Sequence, residues 1–219
     1  MSNDSQVLLS INNLSISAGK LELFKNFNLE VSKGQITGLS APTGTGKTSL
    51  FNYIAGLLPE TFEVKGEIKR NCSISYVFQE PRLIPSVSVL KNVMLPLENK
   101  MDMDAAKKLA ATWLEKLNMA QKMNESVKSL SGGEQQRTSI ARAFATLAVP
   151  EHALAVPEPV EGLLLLDEPF ASQDETNINN IISLTKELVE QNKCACLVIS
   201  HDKANLEKLC DKILYLTDF

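Results

Sequence analysis

The run Gln35-Ile36-Thr37-Gly38-Leu39 has strand character and stops at a glycine-bearing loop, Ala41-Pro42-Thr43-Gly44-Thr45-Gly46-Lys47-Thr48. From Lys47 to Leu57 the apolar residues Leu50, Phe51, Ile54 and Leu57 recur at spacings of three and four, which reads as a helix. A strand, a glycine loop and a helix in direct succession commit the chain to an α/β fold. They also commit the loop to an anion. A loop that wraps phosphate turns its N–H groups inward, so it carries glycine where side chains would collide with oxygens. The lysine reaches the β- and γ-phosphates, the next hydroxyl ligates Mg²⁺, and the helix start adds a positive dipole end. Position by position the octapeptide fits G-x-x-x-x-G-K-[ST], with Ala41 at the first glycine. Thr43, Gly44, Thr45, Gly46, Lys47 and Thr48 are therefore the candidate nucleotide contacts.

Around this unit, Val7 to Ile11 and Leu14 to Ser17 read as short strands split by Asn12-Asn13, and Phe27 to Val31 alternates at period two. Helical spacing marks Asp104–Leu117 and Gly133–Leu147. No strand is expected between Tyr76 and Gly162, so this stretch is a helical insert. The α/β alternation then resumes: strand Leu163–Leu166, helix Thr176–Glu190, strand Cys196–Ile199, helix Lys203–Leu209, strand Lys212–Leu216. That order predicts a mostly parallel sheet covered on both faces. Between the insert and the resumed frame, 148–162 holds Pro150, Pro157 and Pro159 with three glutamates, the composition of a surface loop; His152 lies within it as a solvated residue.

Composition narrows the function. The 219 residues carry 22 Lys+Arg against 26 Asp+Glu, a net charge of −4, unlike the basic footprint of a nucleic-acid binder. No apolar run is long enough to span a bilayer, and the polar start Met1–Ser5 is not a secretory signal, so a soluble intracellular chain is expected. Four cysteines are too few for a disulfide scaffold. Cys194 and Cys196 fall on one face of a strand and read as buried structural thiols.

Two further constellations carry chemistry. Leu163–Leu166 is a buried strand from whose C-terminal end Asp167 and Glu168 emerge, the end at which α/β sheets place ligands. One carboxylate suits Mg²⁺ and the next suits polarising an attacking water. Leu130-Ser131-Gly132-Gly133-Glu134-Gln135-Gln136-Arg137 opens a helix with a serine and two glycines, a second anion-binding nest. One nucleotide cannot easily use two nests in one domain, which suggests two copies meeting head to tail.

This octapeptide resembles the signature of ABC-type ATPases, and the likeness covers nearly the whole chain, read as one ATPase domain. It implies a P-loop core at 1–79 and 160–219 with an N-terminal antiparallel portion, a helical subdomain at 80–147 carrying the signature, and the inserted loop at 148–162. It implies that Gln79 senses Mg²⁺ and the membrane partner, that Asp167 and Thr48 attend the metal, that Glu168 is the general base, and that His201 is the switch histidine near the γ-phosphate. Asp174 matches the aspartate of the loop that meets the other copy. Ser131, Gly132 and Gly133 would contact the γ-phosphate held by the partner. The implied activity is Mg²⁺-dependent hydrolysis of ATP that drives separate permease subunits at the cytoplasmic face of the membrane, with a homodimer or heterodimer of ATPase subunits and an associated substrate-binding protein, and no nucleic acid.

The run from Phe78 to Pro85, followed by Val89 to Val93, is similar to importers of nitrate, sulfonate and taurine type, and the end at Phe219 leaves no room for a regulatory domain. Export, lipoprotein release, a non-transport ATPase and an inactive nucleotide-binding subunit stay open. Four departures stand out. Ala18 occupies the place of an adenine-stacking ring, with Phe24 the nearest substitute; Ala41 replaces a glycine; Ala171-Ser172-Gln173 replaces Ser-Ala-Leu and would loosen the dimer seam; and 37 positions separate Leu130 from Asp167, a long interval for the family.

Overall fold

The computed structural model describes residues 6–40, 44–149, 161–192 and 194–216. Strands β1 (Val7–Ala18), β2 (Leu21–Ser32) and β4 (Phe62–Arg70) form an antiparallel sheet in the order β2-β1-β4. Strands β3 (Ile36–Ser40), β5 (Ser73–Val77), β6 (Gly162–Asp167), β7 (Ala195–Ile199) and β8 (Lys212–Tyr215) form a parallel sheet in the order β5-β6-β7-β3-β8. Helix α1 (Lys47–Ala55) follows β3. Helices α2 (Val89–Met94), α3 (Met103–Lys116) and α4 (Gly132–Leu147) lie between β5 and β6, and α5 (Glu175–Asn192) and α6 (Lys203–Leu209) flank β7.

The central strands β3, β6 and β7 of the parallel sheet are buried on both faces, whereas the edge strands β5 and β8 are partly exposed. Along β6, Leu164 and Leu166 join the core beneath α2–α6, while Leu163 and Leu165 face the core shared by α1 and the antiparallel sheet. Cys196 and Val198 of β7 alternate in the same way with Ala195, Leu197 and Ile199. Cys194 and Cys196 lie on the α-helical side, and burial pushes Cys194 up to about 11, so neither is a thiolate at neutral pH. Trp113 of α3 meets Phe144 of α4 edge to face, with ring centroids 5.3 Å apart, in that same core.

Several boundaries differ from the sequence expectation. The two runs split at Asn12-Asn13 are one twelve-residue strand whose register shifts at that point. Asn13 takes φ +50, and its N–H donates to Asn28 Oδ1 at 2.9 Å, so the asparagines make a bulge rather than a break. Opposite the bulge, a Cβ on Gly66 would lie 2.5 Å from the Asn13 carbonyl oxygen, and only glycine fits there. Strands β4 and β5 and helix α2 were not anticipated. Among the described residues no helix is long and apolar enough to cross a membrane. Ala41, Thr43, His152 and the prolines at 150, 157 and 159 lie outside the described residues; beside them, Lys33 pairs with Glu161 and Ser73 N–H donates to the Glu161 carbonyl at 2.7 Å.

Candidate active site

Strands β3, β6 and β7 end side by side at the same edge of the sheet, and the segments that leave them converge. After β3, Gly44 and Gly46 take φ of +85 and +84, the left-handed region that glycine enters without strain. A Cβ on Gly46 would stand 2.9 Å from Leu23 Cβ and 3.1 Å from the Phe24 ring, so β2 also demands a glycine. Helix α1 opens here with no side-chain cap and no acidic residue in its first turn, so the positive end of its dipole meets the loop.

Lys47 is 7% exposed; burial lowers its pKa, against the opposing pull of Glu168 and Asp167. Thr48 Oγ1 donates to Asp167 Oδ2 at 2.9 Å. Asp167 closes β6 at 1% exposure, and burial raises its carboxyl against the hydrogen bonds from Thr48 and Tyr76. Glu168 sits at φ +50 and donates its N–H to the Ile199 carbonyl at 2.9 Å, which fixes the strained turn to the end of β7. Its carboxyl is likewise raised by burial, while His201 favours the charged form. One hydrogen bond joins them: His201 N–H donates to Oε2 at 3.3 Å, while His201 Nε2 lies 3.1 Å from Oε1 without making a hydrogen bond to it.

These side chains, with Gln79, line one cleft of about 370 Å³. Gln79 is held there through its neighbours: Gln136 donates to the Phe78 carbonyl at 3.4 Å, and Arg142 donates to the carbonyls of Pro81 and Arg82 at 3.0 and 3.1 Å. A hydroxyl, a carboxylate and an amide oxygen are the hard donors that Mg²⁺ takes, and the glycine loop, Lys47 and the α1 start suit a polyphosphate. The donor set therefore fits both groups.

The remaining candidates lie elsewhere. Ser131, Gly132, Gly133 and Asp174 do not line this cleft. Ser131 caps α4 in a reciprocal box: its Oγ accepts from Glu134 N–H at 3.3 Å, and Glu134 Oε2 accepts from Ser131 N–H at 2.8 Å. The serine hydroxyl keeps its own proton to donate. Asp174 accepts from Asn177 N–H and Nδ2 at 2.8 and 2.9 Å, just ahead of α5. Thr45 lies beside an adjoining pocket with Leu21, Glu22 and Leu23. Phe24 is 1% exposed and packed on Phe27 and against Gly46, and it also lines that adjoining pocket. Sequence reasoning missed Tyr76, whose O–H reaches Asp167 Oδ2 at 3.5 Å while its ring stacks on Phe78 at 3.9 Å. The only signal for it was its position three residues before Gln79.

Comparison with known proteins agrees with this geometry. Residues 24–149, more than half of the chain, match the ABC transporter family model. The aliphatic sulfonates import ATP-binding protein SsuB 1 of Nocardia farcinica is 36% identical over 96% of this chain and 78% of its own. The lipoprotein-releasing system ATP-binding protein LolD of Saccharophagus degradans is 32% identical over 84% of this chain and 81% of its own. Among solved structures, the dimeric post-hydrolysis state of the ATP-binding cassette MJ0796 bound to ADP and Pi superposes with a TM-score of 0.80, at 28% identity over 95% of this chain and 94% of that one. The chain belongs to the ABC transporter family, as an ABC-type ATPase.

Proposed function

We propose that this chain is the Mg²⁺-dependent ATP-hydrolysing subunit of a membrane importer of the sulfonate, nitrate or taurine class, working as two copies placed head to tail on separate permease subunits at the cytoplasmic face, with a substrate-binding protein delivering the cargo. The observation that carries the reading is the convergence of Lys47, the Thr48–Asp167 pair and the Glu168–His201 pair in one cleft. Lys47 faces the charge of the γ-phosphate. Thr48, Asp167 and Gln79 are the oxygen donors for Mg²⁺, which when bound neutralises phosphate charge. Glu168 accepts the proton of the attacking water, and the burial that raises its carboxyl makes it a stronger base than an exposed glutamate. His201 holds that carboxylate through its N–H, with its ring nitrogen close to the other oxygen. Ser131 and Gly133 lie outside the cleft, which supports their use by a second copy's nucleotide.

The importer assignment is supported by likeness to an aliphatic sulfonates import ATP-binding protein over nearly the whole chain. A second reading, lipoprotein release, draws on the likeness to LolD. Glu168→Gln keeps the shape but not the proton acceptor, so it is expected to lower turnover at least about a hundredfold while ATP binding stays within twofold. Wild-type turnover in that variant, or loss of binding along with turnover, overturns the assignment of Glu168.

A further inference from the structure

The turn after Glu168 reaches back to the signature helix of its own chain. Ala171 N–H donates to the Glu168 carbonyl at 3.2 Å, and Gln173 N–H donates to the Phe170 carbonyl at 3.2 Å; Ser172 takes φ +60. These tight turns deliver the Gln173 amide to the first turns of α4. Its Oε1 accepts from Arg137 Nη1 at 2.8 Å, and its Nε2 donates to the Gly133 carbonyl at 3.0 Å. Among the described residues this is the hydrogen bond that the Arg137 guanidinium makes, since its Nε is buried without a partner. The backbones are equally close: a Cβ on Gly133 would stand 2.5 Å from the Ser172 carbonyl oxygen. Gly133 is thus required by the chain's own turn, before any nucleotide is considered. A leucine at position 173 satisfies neither the guanidinium nor the carbonyl.

We infer that Gln173 is a positioning residue that clips the Ser131–Gly133 nest to the turn carrying Asp174, so that the two move as one body. Through Ala171 and Glu168, that body is tied to the chain's own water-activating carboxylate. The clip lies within one chain; its consequence for turnover rests on the head-to-tail reading above. In a closed pair, the state of one copy's cleft is passed through this turn to the nest that serves the other copy's nucleotide.

The test uses the full chain with Q173L, R137M and the double variant. In ligand-free protein, amide hydrogen exchange at 131–137 and 171–174 is expected to rise together by about tenfold in Q173L, the scale of one hydrogen bond to a charged group. R137M should give a similar rise, and the double variant no further one. Unchanged exchange at 131–137, or additive rises in the double variant, overturns the clip. At saturating ATP, Q173L is expected to lower the maximal rate at least about fivefold, while the ATP affinity of dilute protein stays within twofold, because only the first needs the nest. Raised exchange with an unaltered rate, or a joint loss of affinity and rate, overturns the role in turnover. Wild-type turnover by protein that light scattering shows to stay monomeric with ATP and Mg²⁺ defeats the two-copy reading instead, and the exchange arm still decides the clip. Q173N, whose amide stops short of Arg137, serves the same comparisons if Q173L does not fold.

Discussion

Ala18 ends β1 with Leu21 and Phe62 as its partners on the two neighbouring strands, and it presents only a methyl group where the family places a ring. The apolar surface beside Gly44 and Thr45 comes instead from Leu21, Leu23 and Phe24 of β2 and from Leu216, with the carboxylate of Glu22 among them. Apolar contacts do not read the hydrogen-bonding edge that distinguishes adenine from guanine, so ATP and GTP should be bound with similar affinity. Ala18→Tyr is expected to tighten ATP by up to about tenfold, about 1.4 kcal/mol, in a titration at fixed Mg²⁺. An unchanged dissociation constant means that Phe24 or a neighbour already supplies the contact, or that stacking is unimportant here. At this scale the cleft was largely legible: Lys47, Thr48, Asp167, Glu168 and His201 each follow a strand end within a short recognisable string. Gln173 and Tyr76 were not, because their importance lies in partners 36 and 91 positions away, which no local pattern encodes.

Helix α4 starts with Ser131 and Glu134 satisfying each other's N–H groups, which places a carboxylate on the nest that a phosphate is proposed to enter. The hydrogen bond from Ser131 N–H holds the Glu134 carboxyl below its ordinary value of 4.5. A depressed carboxylate contributes stability that is present above pH 4.5 and is lost as the pH falls through the folded-state pKa. The Tm of the wild type minus that of Glu134→Gln should therefore be positive and flat at neutral pH and shrink below pH 4.5. Because Gln keeps the acceptor but sheds the charge, the same variant should strengthen ATP-dependent self-association by a few-fold, measured by static light scattering at pH 7. Long apolar-striped helices and fully buried strands were readable to within about two residues. The exposed strand β4 was not: Phe62, Val64 and Ile68 alternate correctly, but Gly66 and the intervening Lys and Glu residues dilute the pattern. Its place in the sheet follows from pairing with β1 rather than from its own composition.

Across the whole molecule, one continuous apolar cluster joins the insert helices to the parallel sheet: Trp113, Phe144, Leu164 and Val198 belong to the same core. A shared core unfolds as a unit. Trp113 is the single tryptophan in the chain, so its fluorescence reports the insert while far-UV circular dichroism reports the whole. The two thermal transitions should coincide, and Phe144→Ala should lower both, at a cost of about 3–5 kcal/mol. A fluorescence midpoint several degrees below the dichroism midpoint shows an insert that melts alone.

The strand order has a consequence for synthesis. Strand β3 is made long before its two hydrogen-bonding neighbours, β7 and β8, at residues 195–199 and 212–215. Until those two strands have emerged, β3 has two open edges and the phosphate loop follows an unpaired strand. A nascent chain thus carries the lysine and the glycines long before β6 and β7 bring Asp167, Glu168 and His201 beside them. The drawback is a strand edge left open until β7 and β8 arrive, which is a hazard for pairing with other chains.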